Sequence, residues 1–513
     1  PALTPARSWF LGALFGLALY GFTAAPGLVW QDGGDAQVRV ALDDFRGPFD
    51  LARAHVLQML LASGLRHGLR LDPAWAANLL SVLAGAVTIA NMAALLTLLI
   101  RRPLPVLAAT LLLACSHTLW QFSTIAETNA LVAALLSAEL LALQRFAATG
   151  RPRFLLLLAL LNGLGLANHN VALLSAACYV VIACFLLKRW NRRHAACAAL
   201  ALLCWLIGAS PALVLIFREV SGGVTPSAAL HSFLVGDFQA QVLNTRLAPS
   251  MLLNVPAFVV LNFPSPLLLL LPPGFRPLRA LCARPLFATL ALLLAVHFLF
   301  AARYNVVDQY SFFIPTYCLM TVVLAAGLDR LLHRPLRAKA ALAVLCAMLP
   351  VAVYAVLPSV ARRLPAGLVP IPLRPVPYRD PYAWFLHPWH RGLAGPERFA
   401  REVFDTLPPE AILLVDPTLR PPLLYLQIVE GLRRDVQIND GLWQPGRRPA
   451  PLDMNRPETF DPYVSAGRVF IASDKPAYTP NYGWILQRYA LRRAGHLFQV
   501  QLPSPASPPP ENK

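Results

Sequence analysis

Two carboxylates three residues apart, Asp32 and Asp35 in "QDGGD", follow an apolar run long enough to cross a bilayer. A carboxylate fixed at the mouth of a cavity can accept the proton of an attacking hydroxyl. Gly33 and Gly34 between them remove side chains, permitting a tight turn and a close ligand approach. A solvated Asp-Gly turn fits the same residues, and turn duty suits Asp35 better than chemistry does. Four other places set ionisable residues beside apolar runs: Arg53 and His55 in "LARAH", Glu127 in "AETN", His169 in "GLANHN", and Asp308 with Tyr310 in "NVVDQY". Arg53, His55 and His169 are the types that hold a phosphate. Contact with lipid headgroups is the alternative for the first two, and a satisfied core histidine for His169. Glu127 and Asp308 open apolar runs, where a carboxylate also favours a helix start. No HExxH and no Cys/His pair at ligand spacing is present, so no metal site is assigned, and "DGGD" alone does not specify a hard cation. A P-loop and a dinucleotide fingerprint are both missing, which disfavours a cytosolic nucleotide substrate.

The elements that must carry these residues lie in a bilayer. Hydrophobic residues make up 57% of the 513 and charged ones 14%, with a mean hydropathy of +0.54. Apolar runs recur at 8–30, 74–100, 103–122, 126–146, 154–168, 170–187, 195–217, 251–273, 286–302, 309–328 and 338–357. At roughly 20 residues per crossing these predict about eleven spans. The expected fold class is an all-α polytopic membrane protein with a C-terminal soluble α/β domain. The first run exceeds a usual signal-peptide core and is read as retained.

A net charge of +18 does not point to nucleic acid here. Lys and Arg concentrate in alternate connections, such as "RRPL", "KRWNRRH" and "RLLHRPLRAK", while "QDGGD", "AETN" and "YNVVDQY" are poor in them. Cytoplasmic loops carry that excess. The alternation puts the amino terminus inside and residues after 358 outside. The eight cysteines sit in or beside apolar runs with no CxxC, as small buried hydrophobes do.

Residues 1–357 are expected to form the membrane unit, with an outward loop at 31–73 that carries a helix lying along the surface. A Pro-rich linker at 358–380 precedes an outward α/β domain at 381–500 and a disordered tail at 501–513. Within that domain "AILLVD" (411–416), "DVQIND" (435–440) and "RVFIAS" (468–473) read as strands, and "PPLLYLQIVEGLRR" (421–434) as a helix. Strand, helix and strand at this spacing predict parallel pairing.

In order, "QDGGD", "LARAHVLQMLLA", "AETNALVAALLSAELLAL", "GLGLANHNVALL", "NVVDQYSFFIPTY" and "LLYLQIVEGLRRDVQIND" resemble the polytopic GT-C glycosyltransferases, in particular the transmembrane protein O-mannosyltransferases acting on plexin-type receptors and their bacterial relatives. Gly33 stands where that family has Ser, and Val56 where it has Pro. The resemblance implies a membrane enzyme that takes a sugar from a polyprenyl-phosphate donor and gives it to an acceptor hydroxyl on the outer face. It implies Asp32 as general base, Asp35 as the second acidic position and His55 as the loop-block histidine. Arg53, His55, Glu127, His169, Asp308 and Tyr310 would then line the donor phosphate and substrate site, with no cofactor assigned and the need for a divalent metal open. The Leu, Ala, Arg and Pro bias suggests a bacterial inner membrane and undecaprenyl phosphate as carrier. Partners would be membrane lipid, the lipid-linked sugar, and an acceptor protein, lipid or glycan. A lipid or lipid-linked-sugar flippase, and a non-catalytic anchor for the α/β domain, are the competing classes; inverted repeats with broken helices, the mark of many transporters, are not seen.

Overall fold

The computed structural model describes residues 3–503 apart from 187–190, 247–248, 334–336, 366–373, 440–456 and 480–481. Parts of the expected linker and strand 435–440, and the tail from 504 on, lie outside the described residues. Helix α1 (Pro5–Thr23) starts from a Thr4 cap and packs along α4 (Pro73–Leu99). Between them α2 (Gln31–Leu42) and α3 (Val56–Leu69) form the first outward connection. The chain continues through α5 (Pro103–Ala114), α6 (His117–Phe122), α7 (Asn129–Thr149), α8 (Pro152–Asn168), α9 (Ala172–Leu186) and α10 (Arg192–Ser221). The short α11 (Pro226–Leu234) and α12 (Gln239–Val242) lead to α13 (Pro249–Asn262), α14 (Leu271–Leu281), α15 (Arg284–Arg303), α16 (Ile314–Leu331) and α17 (Arg337–Ala361).

Each expected apolar run holds a helix, but the described residues do not confirm a count of eleven spans. Among the described residues, six helices are long and apolar enough to cross a bilayer, or up to seven if α13 and α14, bent by 114°, form one span. Helices α5 and α8 are apolar but have only 12 and 17 residues. At about 1.5 Å per residue the longer of these rises about 26 Å, short of a 30 Å core. The 103–122 run is broken at Cys115 and Ser116 into two pieces. The central members are α4 and the stretch Gln309–Leu331, which is 94% buried, whereas α10 and α17 leave most of their apolar side chains outward. This is an integral membrane protein.

The C-terminal part holds α18 (Pro381–Leu386), α19 (Gly395–Thr406), α20 (Arg420–Val429), α21 (Asp461–Ser465), α22 (Ile485–Arg488) and five strands: β1 (Ile412–Leu414), β2 (Gln437–Asn439), β3 (Val469–Ile471), β4 (Ala490–Ala494) and β5 (Leu497–Gln501). The sheet order is β2-β1-β3-β5-β4. β1 runs parallel to β2 and β3, with Leu413 opposite Ile438 and Phe470, as the strand–helix–strand spacing predicts. The β4–β5 hairpin, turned at Gly495 with φ +61°, was not expected, because exposed Arg492 and Arg493 mask the apolar alternation. One apolar cluster joins this domain to the membrane unit: Leu28, Trp30, Val38 and Ala74 pack with Phe399, Val403 and Leu423. The rings of Trp30 and Phe399 lie 5.6 Å apart.

Candidate active site

"QDGGD" is not a turn. It is the first turn of α2, entered through Gln31 at φ +61°, whose N–H reaches the Thr418 carbonyl at 3.4 Å. The two glycines admit protein rather than ligand. A Cβ on Gly33 would stand 2.7 Å from the Ala126 carbonyl oxygen, and one on Gly34 2.6 Å from Pro421 Cβ. α2 is thereby wedged between the loop that carries Glu127 and the start of α20.

Asp32, Glu127 and Asp308 come together from three distant segments. Asp32 and Asp308 have open side-chain surface, Glu127 less, yet dense protein surrounds all three, so they line a water-reached recess rather than the outer surface. Burial raises the Asp32 carboxyl above its usual range, opposed by the charges of Arg53 and Arg420. Burial lifts Glu127 well above the usual range, and Asp32 and Asp308 push it further, against a backbone N–H of Thr128. Asp308 is pushed up to about 6 by burial and by Asp32, while Ser311 Oγ donates to its Oδ2 at 3.3 Å. Of the three, only Asp32 has positive side chains working against burial. Thr128, not Glu127, is the N-cap of α7, and Glu127 instead ties to α4 by exchanging backbone bonds with Ser81 Oγ at 3.1 and 3.2 Å.

Arg53 and His55 do not lie on a surface helix. Arg53 ends the 3₁₀ turn Leu51–Arg53, and His55 is the left-handed N-cap of α3, at φ +43°. Arg53 is engaged by Asp50 at 2.9 Å and Asp237 at 2.5 Å and stacks over Phe49 at 4.2 Å. Buried Arg39 shapes this turn by donating to the carbonyls of Arg53 and Ala54 at 3.4 and 2.6 Å. His55 Nδ1 donates to the Asn168 carbonyl at 2.8 Å, which leaves Nε2 as the bare nitrogen. His169 Nδ1 accepts the Val171 N–H at 3.1 Å, which puts its proton on Nε2. Burial holds His55 down to about 4 and His169 down to about 3, the latter also because His55 is beside it. Both histidines also line a small cavity together with Phe233. Burial thus favours the neutral form of both, not the cations a phosphate would first suggest.

Tyr310 sits on the wall of the recess among Phe122, Phe258 and Phe385, with ring centroids 5.7, 6.1 and 5.0 Å away. Asp35 turns toward Arg420, whose Nη2 is 2.6 Å from Asp35 Oδ1 and whose side chain is 0% exposed. Arg379 reaches Gln31 Oε1 at 3.4 Å, and Arg374 binds Asp416 and Thr418. Arg420, Arg379 and Arg374 carry no signature in the local sequence. They are Arg residues in Pro-rich stretches more than 300 positions from Asp32 and Asp35. Among the described residues, no group of three or more His, Cys, Asp or Glu side chains is arranged to hold a metal ion.

Residues 61–215 match the family of dolichyl-phosphate-mannose-protein mannosyltransferases. No curated protein matches the sequence. Among solved structures, ArnT from Cupriavidus metallidurans bound to undecaprenyl phosphate is similar with a TM-score of 0.62 at 13% identity, over 96% of this chain and 97% of that one. The Archaeoglobus fulgidus oligosaccharyltransferase tethered with an acceptor peptide gives 0.52 at 11%, over 98% and 74%. The arabinofuranosyltransferase AftD from mycobacteria gives 0.50 at 16%, over 92% of this chain and 35% of that one. Identities this low speak for architecture, and the architecture is the one the sequence resemblance implied: the chain has the GT-C glycosyltransferase fold.

Proposed function

We propose that the protein is a membrane glycosyltransferase that moves a sugar from a polyprenyl phosphate to an acceptor hydroxyl at the outward face. The observation that carries this reading is the unequal treatment of three clustered carboxyls. Groups whose environments push their protonation apart divide acid and base roles. Asp32 is the one whose charged form is favoured by cations, Arg53 and Arg420, against the burial that raises it, while Glu127 is pushed well up toward its protonated, hydrogen-bond-donating form.

In the proposed step Asp32 takes the proton of the acceptor hydroxyl as its oxygen bonds to the anomeric carbon. The bond from that carbon to the phosphate oxygen breaks, and the polyprenyl phosphate departs with the electron pair. His169 Nε2–H lies within the set of groups available to the departing oxygens, where one well-placed donor is worth about 10²-fold or more in rate. His55, held neutral with Nδ1 on the Asn168 carbonyl, offers its bare Nε2 there as an acceptor. One in-line displacement inverts the anomeric centre.

For the carrier, undecaprenyl phosphate is the first choice, because ArnT, of the same fold, is described with it bound. The family description over residues 61–215 makes mannose the first sugar to try. A bacterial inner membrane, with the amino terminus cytoplasmic and the α/β domain periplasmic, agrees with the placement of basic loops. The test is to incubate purified protein with a panel of polyprenyl-phosphate sugars and membrane extract and read product masses. A product with inverted anomeric configuration is expected. A retained anomer removes the single displacement, and no transfer from any donor removes the reading.

A further inference from the structure

The acidic recess is not built by the membrane unit alone. α20 brings Arg420 against α2, on which Asp32 and Asp35 share a face at i and i+3. The guanidinium is fully buried, contacts Asp35 at 2.6 Å, and lies 5.9 Å from the Phe49 ring next to the Arg53 turn. Its helix is locked down at three further points. The Gln31 N–H reaches the Thr418 carbonyl, Tyr425 Oη donates to Asp72 at 2.8 Å, and Pro421 fills the space left by Gly34.

A fully buried cation is costly unless it is paired, and a second carboxylate one turn away feels its field. We propose that Arg420, supplied by the C-terminal α/β domain, is a positioning residue of the transfer site that fixes Asp35 and sets its positive charge beside Asp32, so that the site is incomplete until that domain has docked. This deepens the transferase reading and rests on it for its catalytic meaning. The groups facing Asp32 are Arg53 from the 3₁₀ turn, Arg420 from α20, Glu127 from the loop before α7, and Asp308 from the turn before α16. Two are cations and two are acids. Taking away Arg420 leaves Arg53 alone against both acids, and Asp32 then holds its proton to higher pH.

Two measurements on full-length protein in detergent test this. In the first, a water-soluble carbodiimide with a tagging amine labels protonated carboxyls as pH is varied, and the extent at Asp32 is read by peptide mass. Arg420→Gln is expected to keep Asp32 labelled to a pH higher by about one unit. Tyr425→Phe loses an interface bond on the same helix without changing charge, and its curve is expected to follow wild type. In the second, the acid limb of the sugar-transfer rate is expected to move up with the labelling curve. An unchanged curve in Arg420→Gln overturns the proposal, and so does an equal displacement in Tyr425→Phe. Should Arg420→Gln not fold, Asp35→Asn with Arg420→Gln is compared with Asp35→Asn alone, where the same displacement is expected and its absence is equally fatal. If wild type transfers no sugar at all, the transferase reading falls while the labelling curves still decide the role of Arg420.

Discussion

The rings of His55 and His169 stack with centroids 5.2 Å apart and 26° between planes, joining the outward loop to the end of α8. Burial keeps both neutral, at about 4 and about 3 against 6.5 for a free imidazole. An unfolded chain therefore binds protons below about pH 6.5 that the folded one refuses. The stability of this stack is fully present above that pH and is lost as pH falls toward 4. Thermal melts in detergent should drop across this window, and the double variant His55→Gln, His169→Gln should drop less. Parallel curves for the two proteins would refute the assignment.

Asp32 and Asp35 are separable by what their loss affects. Asp32→Asn should lower turnover about 10²- to 10⁴-fold, the range for a general base, with the melting temperature little changed. Asp35→Asn takes a counter-charge from buried Arg420 and should cost about 3 kcal/mol of stability. Rates and melts measured on both variants give the answer. A stability loss at Asp32 with no rate loss would reverse the roles.

Gly34→Ala tests the wedge between α2 and α20. The new methyl would meet Pro421 Cβ and the Val29 carbonyl, both 2.6 Å away and neither a flexible side-chain end. Overpacking of this kind costs about 1–3 kcal/mol. Limited proteolysis should release the C-terminal domain faster from the variant, and an unchanged cleavage rate would show that the contact is slack.

Asp308 behaves oppositely to the histidines. Its folded value of about 6 lies above the ordinary 3.8, so the folded state binds the extra proton and stability falls as pH rises through that interval. Asp308→Asn should melt higher than wild type at pH 8 and differ little at pH 4. A variant that melts lower at pH 8 would mean the charged form is stabilised by the recess.

Much of this architecture is written in local pattern. Apolar runs found the helices, and the strands around Leu413, Ile438 and Phe470 stood out as short apolar segments between turn residues. Charged residues next to apolar runs also drew attention to Asp32, Glu127 and Asp308, which the fold brings to one recess. Span number was not legible, because a 17-residue helix such as α8 and the 114° bend after Asn262 look like ordinary crossings in a one-dimensional profile. Neither was the duty of Gly33 and Gly34, which depends on Ala126 and Pro421, nor the pairing of Arg53 with Asp237, 184 positions away. Such contacts are set by tertiary packing and leave no periodic trace.

The pairing of Asp35 with Arg420 spans 385 residues, which has a consequence in time. At synthesis rates of about 5 to 20 residues per second, the arginine leaves the ribosome roughly 20 to 80 s after its acid partner. Through that interval the helices thread into lipid with their acidic pocket unclosed. On the proposal that Arg420 completes the transfer site, a nascent chain in which α20 has not yet docked is expected to be inert toward any lipid-linked sugar it meets.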